Sequence, residues 1–259
     1  MTAGGDSYTP LLARERTLLR PELFLVSGIR VAQAAKAAKL GLPVVFFRLT
    51  DPVGFGLVDS LAHPGGDLTG FSRAVEKLAP KRLELLREML PRARQVAFVF
   101  VADDASHRRQ AADVRTAGSA LGLQLHEYAL PRERWSPDEL ERLFRRMQVD
   151  QVDAFLLPDL NIHPRTLVDL AARYRLPTIH SLSHVVTDWG GLAAYATEAT
   201  STAEVADYAA RILRGTRAAD LPVQEPTRFE LILNLRAARN LGIAFPESFK
   251  LRASQLVEK

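Results

Sequence analysis

Hydrophobic positions alternate along the chain between short β-rich clusters and longer stretches with helical spacing, almost from end to end. After a polar start, 23–26 reads as a strand, 31–39 as a helix, 44–47 (Val44-Val45-Phe46-Phe47) as a buried strand and 53–61 as a helix. Strand and helix in strict alternation imply a parallel sheet. The turn H-P-G-G-D at 63–67 leads into L-T-G-F-S at 68–72, which is too short for another full unit and reads as the crossing to a second lobe. That lobe follows as helix 77–89, strand 96–101, helix 104–121, strand 123–128, helix 137–147, strand 154–157, helix 164–174 and strand 177–180. W-G-G-L-A-A-Y at 189–195 is expected to turn the chain back to the first lobe, with a helix over 202–213, and a strand at 229–233 and a helix at 235–241 precede a polar tail. The fold class is α/β: two Rossmann-like doubly wound lobes, divided as 1–72 with about 190–222 and 73–189 with about 223–259.

The segment T-D-P-V-G-F-G-L-V-D-S (50–60) carries the strongest local signal. A buried strand delivers Asp51, a good N-cap, and Pro52, which has no amide hydrogen to lose in a first helical turn. Val53, Leu57, Val58 and Leu61 then share a helical face, while Gly54 and Gly56 allow close backbone approach. Free amides at such a helix start favour a carboxylate or another anion. An internal echo, A-A-K-L-G-L-P-V-V at 37–45 and A-A-R-Y-R-L-P-T-I at 171–179, fits equivalent helix-to-strand corners in two related lobes. Open parallel sheets bind ligands outside the carboxyl ends of their strands, so the cleft between lobes is the expected site.

Composition narrows the classes. With no cysteine the chain has no disulfide, thiolate nucleophile or cysteine metal site. The formal charge of +4 comes from arginines mixed with glutamates, and Arg82, Arg87, Arg142, Arg145 and Arg146 read as solvated helix faces. Basic residues are not interleaved with exposed aromatics and no helix-turn-helix or finger spacing occurs, so nucleic acid is not an expected partner. No apolar stretch approaches the roughly 20 residues that cross a bilayer. The first ten residues, M-T-A-G-G-D-S-Y-T-P, lack the features of an export signal. No G-x-S-x-G elbow or complete phosphate loop is present, and Gly54-Phe55-Gly56 lacks the third glycine of a dinucleotide site. His180 and His184 have i, i+4 spacing but no third ligand, so neither a metal nor any other cofactor is expected.

The words at 50–72 (T-D-P-V-G-F-G-L-V-D-S-L-A-H-P-G-G-D-L-T-G-F-S), 81–91 (K-R-L-E-L-L-R-E-M-L-P), 170–179, 190–195 (G-G-L-A-A-Y) and 219–234 (A-D-L-P-V-Q-E-P-T-R-F-E-L-I-L-N) occur in the order of a known family. The chain resembles the substrate-binding components of ABC transporters of the tryptophan/tyrosine-binding lipoprotein type. The resemblance implies a type I periplasmic binding protein, with three crossings, a small molecule closed between two lobes, a transporter permease as partner and a periplasmic location. Family members carry a signal and a first strand, helix and strand ahead of the segment matching Pro21–Lys39. The first lobe is therefore expected to be incomplete at its N-terminus, to form a homodimer through the truncated lobe, and to be cytoplasmic if the sequence is complete as written.

The candidate ligand contacts stand at predicted strand ends. Ser27 and Gly28 follow the first strand, Thr50, Asp51 and Val53 the second, and Ser72 sits at the crossing. Ordinary alternatives accompany each: an N-cap and turn at 27–28, a helix cap at Asp51 whose acceptor its own helix consumes, a cap at Ser72. In the second lobe Asp103, Asp159 and Asn161 follow strands, one acid there being expected to meet an amino-acid ammonium, and Ser181 follows another. Trp189 reads as hinge packing before ligand stacking. The function so read is noncatalytic binding of an amino acid or related carboxylate for uptake. An isomerase or racemase of a small acid, and a cytoplasmic ligand-sensing module, are the alternatives.

Overall fold

The computed structural model describes residues 8–158, 164–198 and 200–258. They fall into two compact units, Met1–Ala74 with Glu198–Thr227 and Val75–Thr197 with Arg228–Lys259, so the chain passes from one unit to the other three times.

The first unit begins with helix α1 (Tyr8–Leu19), where the polar pattern suggested no element. Leu12 holds it, packed in a cluster with Ala32, Ala35 and Val44. Strand β1 (Phe24–Ser27), helix α2 (Ile29–Ala37) and strand β2 (Val44–Leu49) follow as the hydrophobic pattern requires. Segment 68–72, expected as a crossing, is instead strand β3 (Leu68–Ser72), buried throughout and third in a parallel sheet ordered β1-β2-β3. Along β2 the side chains alternate, Val44 and Phe46 to one cluster and Val45 and Phe47 to another, so the sheet is covered on both faces. The expected helix at 53–61 does not form: Phe55 and Leu57 donate to the carbonyls of Asp51 and Pro52, and Gly56, at φ +64°, ends that single turn. Two glycines in three residues are the physical reason, since each costs about 1 kcal/mol in a helix relative to alanine. Leu57 and Val58 are nonetheless buried, while Val53 is 41% exposed.

In the second unit a 3-10 turn leads into α3 (Ala79–Met89), then β4 (Gln95–Val101), α4 (Ala105–Ala120), β5 (Gln124–Leu130), α5 (Pro137–Val149), β6 (Ala154–Leu156), α6 (Pro164–Arg173), β7 (Thr178–His180), α7 (Ser183–Thr187) and β8 (Ala193–Thr197). Residues 190–195 thus belong here, not to the return crossing: β8 pairs parallel with β7, and the unit ends at Thr197. The chain then gives the first unit α8 (Thr202–Leu213), whose Val205, Tyr208 and Ile212 cover Val45 and Phe71. It returns as β9 (Phe229–Asn234), α9 (Leu235–Leu241), α10 (Glu247–Leu251) and β10 (Gln255–Val257), so the polar tail contains a helix and a strand. The sheet order is β10-β9-β8-β7-β6-β4-β5, with β9 antiparallel to β8. Along β4, Val96, Phe98 and Phe100 join a core with α3 and α4, whereas Ala97, Val99 and Val101 join one with α5 and α6. That alternation is the signature of a doubly wound sheet.

Candidate functional site

In the first unit the three parallel strands end side by side, Ser27 level with Phe47 and Leu49 level with Ser72. The loops that follow carry the residues expected to bind, and their polar groups sort into those already engaged and those left over. Gly28 adopts φ +83°, but its amide donates to the Phe47 carbonyl at 3.0 Å, so it is not the open donor the sequence suggested. The Asp51 carboxylate accepts from the Gly54 amide at 2.9 Å, capping its own turn. A Cβ at Gly54 would stand 2.2 Å from that carboxylate, which makes the glycine a condition of the cap. Ser72 is 1% exposed and its hydroxyl oxygen accepts from the Ala74 amide at 3.2 Å. Among the described residues, the hydroxyls of Ser27 and Thr50 and the amide of Val53 have no hydrogen-bond partner. Ser27 is exposed and Thr50 half-buried.

Sequence reasoning passed over three arginines at this end of the sheet. Arg30 opens α2 beyond β1, Arg48 lies one residue before the end of β2, and Arg73 follows β3. A cation within three residues of every strand end was the available signal. Gly28 caps α2 without a side-chain hydrogen bond, leaving that helix start to backbone donors.

In the second unit Asp103, exposed, follows β4 and has no hydrogen-bond partner among the described residues. Its neighbour Asp104 caps α4, accepting from the amides of Ser106 and His107 at 2.9 and 3.1 Å. Asp159 and Asn161 lie outside the described residues. Ser181 is 6% exposed beyond β7. Arg82, read from sequence as a solvated helix residue, is instead wholly buried on α3. His180, the last residue of β7, is buried too, and His184 lies on α7, so the pair does not share a helix. Burial first, then the charges of Arg82 and His184, push the His180 imidazole down to about 3, so it is neutral at physiological pH. Trp189 packs edge to face against His184 at 4.9 Å. Among the described residues no three His, Cys, Asp or Glu side chains are grouped to hold a metal, and no helix is long and apolar enough to cross a membrane.

Two doubly wound units joined by three crossings, with polar loops at the carboxyl ends of parallel strands, define a protein of the type I periplasmic binding fold. The chain belongs to the ABC transporter substrate binding protein family, whose model matches residues 10–257. It is similar to a "Tyrosine-binding protein" of Clostridioides difficile, 24% identical over 207 residues that cover 78% of this chain. The matched part spans 58% of that relative's length. Among solved structures it is similar to an ABC domain from Streptococcus pneumonia in complex with L-Trp, at 25% identity and a TM-score of 0.81, covering 96% of this chain and 85% of that one. A ligand-free, open substrate binding protein with adhesive properties from Clostridium difficile matches at 23% identity and a TM-score of 0.72, covering 97% and 83%.

Proposed function

We propose that this chain is the noncatalytic solute-binding component of an ABC-type uptake system, handing an amino acid to a transporter permease outside the cytoplasm. The observation that carries this reading is the set of unengaged groups at the ends of β1 and β2. The hydroxyls of Ser27 and Thr50 and the amide of Val53 offer donors to a carboxylate, next to the exposed Val53 side chain. Arg30, Arg48 and Arg73 bias the same strand ends toward an anion. In the second unit Asp103, Asp159 and Asn161 supply the ammonium partner, and Ser181 a further hydroxyl. Asp51, Gly28 and Ser72 serve by shaping loops. Aromatic amino acids head the list of ligands because the relatives described above bind tyrosine and L-Trp.

A thermal-shift screen of the amino acids tests the reading. A ligand at about 100 times its Kd adds roughly 2.7 kcal/mol to the stability of the folded state. In a protein of this size that raises Tm by roughly 5 °C or more. NMR of the recovered ligand then separates binder from enzyme: unchanged ligand supports the proposal, whereas racemised or isomerised ligand supports the alternative.

A further inference from the structure

The turn at 51–57 is closed at both ends. Asp51 caps its start by accepting from the Gly54 amide at 2.9 Å, and the Phe55 amide donates to the Asp51 carbonyl at 3.0 Å. At its end the Gly56 amide donates to the Val53 carbonyl and the Leu57 amide to the Pro52 carbonyl, both at 2.8 Å, with Gly56 at φ +64°. A longer bond closing around a shorter one, pivoted on a left-handed glycine, is the Schellman arrangement that finishes helices. Of the amides from Val53 to Leu57, that of Val53 alone is left open among the described residues.

Caps do not make such a turn stand by itself. A single turn fixes several dihedrals for few hydrogen bonds, and two glycines in three residues oppose it further. Its position has to be set by the rest of the unit. On the buried side Leu57 and Val58 share one core cluster with Ala32, Ala34 and Ala35 of α2. On the exposed side Lys36, in the last turn of α2, donates from Nζ to the Gly56 carbonyl and, at 3.3 Å, to the Leu57 carbonyl. An ammonium suits this place, because carbonyls at the end of a helical turn carry the negative end of its dipole, and its three donors can serve both oxygens. Helix α2 thus meets the candidate site twice: its start at Gly28 follows Ser27 at the end of β1, and its last turn grips the segment that carries Val53.

From these contacts we infer that Lys36 is a positioning residue for ligand binding: its ammonium locks the 51–57 turn onto α2, so that the open Val53 amide and the Ser27 hydroxyl keep a fixed relation before any ligand arrives. Lys36 touches no ligand. It acts by keeping the binding-competent turn populated, and the apparent Kd rises in inverse proportion as that population falls. The two bonds involve an exposed side chain, so their share of global stability is small, whereas the turn they hold opens locally when they are lost. The inference rests on the reading of the strand-end loops as an amino-acid site.

The test compares the full chain with Lys36→Met, Lys36→Arg and Lys39→Met. Methionine keeps the apolar stem and removes the ammonium. Lys39, exposed just beyond α2, has no hydrogen bond to the turn, so Lys39→Met removes the same charge nearby without releasing the two carbonyls. In the ligand-free Lys36→Met chain, hydrogen exchange at the Phe55, Gly56 and Leu57 amides quickens about fivefold or more, while the β1-β2-β3 ladder exchanges as in the parent and Tm stays within about 1 °C. The calorimetric Kd for L-tryptophan rises about fivefold or more. Lys36→Arg regains most of that affinity, since a guanidinium can also donate to both carbonyls, and Lys39→Met matches the parent. Parent-like exchange or affinity in Lys36→Met, an equal loss in Lys39→Met, no recovery in Lys36→Arg, or a loss that comes with a fall in Tm of several degrees overturns the inference and leaves the transport reading intact. A parent chain that binds no amino acid overturns both.

Discussion

Gly70 shows how narrowly a single position can be specified. It sits on β3 at φ +147°, and a Cβ there would meet the Phe46 carbonyl oxygen at 2.0 Å and its amide nitrogen at 2.7 Å. Both atoms are backbone of the neighbouring strand and neither can move aside without breaking the ladder. Gly70→Ala is expected to destabilise the first unit by more than the ordinary 0.5–3 kcal/mol of a point substitution, read as a lower Tm. His180 sets a second expectation. Its folded pKa is depressed to about 3, so the unfolded chain binds more protons between that value and its ordinary 6.5. Stability is complete above pH 6.5 and falls as pH drops toward 3, with a slope of about 1.4 kcal/mol per pH unit from this group. Arg82 and His184 face the imidazole and act in the same direction. Denaturant titrations from pH 7 to 4 should therefore show a shallower pH slope for His180→Gln than for the parent chain. Neither constraint was visible in the sequence: a glycine between Thr69 and Phe71 looks like any strand irregularity, and a histidine declares its burial only through its neighbours.

At the scale of elements, legibility followed the length and purity of the hydrophobic period. Helix α8 was placed at 202–213 and forms there, because Val205, Tyr208 and Ile212 recur at helical spacing and Ser201 with Glu204 closes a capping box at its start. Ser201→Ala is expected to cost about 1 kcal/mol, measured by chemical denaturation. The turn at 51–57 misled for a physical reason. Asp51 and Pro52 do initiate a helical turn, as their chemistry demands, but Gly54 and Gly56 let the chain leave it once Leu57 and Val58 reach the core. Without a crossover helix, the five residues of β3 looked too few for another full unit and read as a crossing; the burial that makes L-T-G-F-S a strand of the sheet is a tertiary fact. The same holds for β8, whose A-A-Y-A-T has little β propensity and is held between β7 and β9. Asp51→Ala removes the acceptor for the Gly54 amide and loosens the turn that presents Val53. Weaker ligand binding with little loss of global stability is expected, as calorimetry and Tm would show together.

For the whole molecule, two lobes and strand-end loops were inferable from alternation and three crossings from the family resemblance, whereas the division of labour within the loops was legible only at Asp51. Asp51 reads from the sequence as the cap of its own turn, with Thr50 and the amides near Val53 as the better contacts, whereas Gly28 stood level with Ser27; the hydrogen bonds separate engaged groups from unengaged ones. The expected homodimer has a defined location in this account. Strand β1 lies at the edge of the first unit's sheet, with Leu25 51% exposed, and that edge is the surface proposed to meet a second copy. Light scattering at micromolar concentration checks it, with Leu25→Lys shifting the population toward monomer.

The most direct test of the central claim is calorimetric titration of the chain with L-tryptophan, run in parallel on Thr50→Ala and Asp103→Ala. Saturable one-to-one binding, ligand recovered unchanged, and affinity reduced by about tenfold or more when an unengaged strand-end group is removed are the expected results. Binding of no amino acid, or equal affinity in both variants and the parent, would contradict that claim.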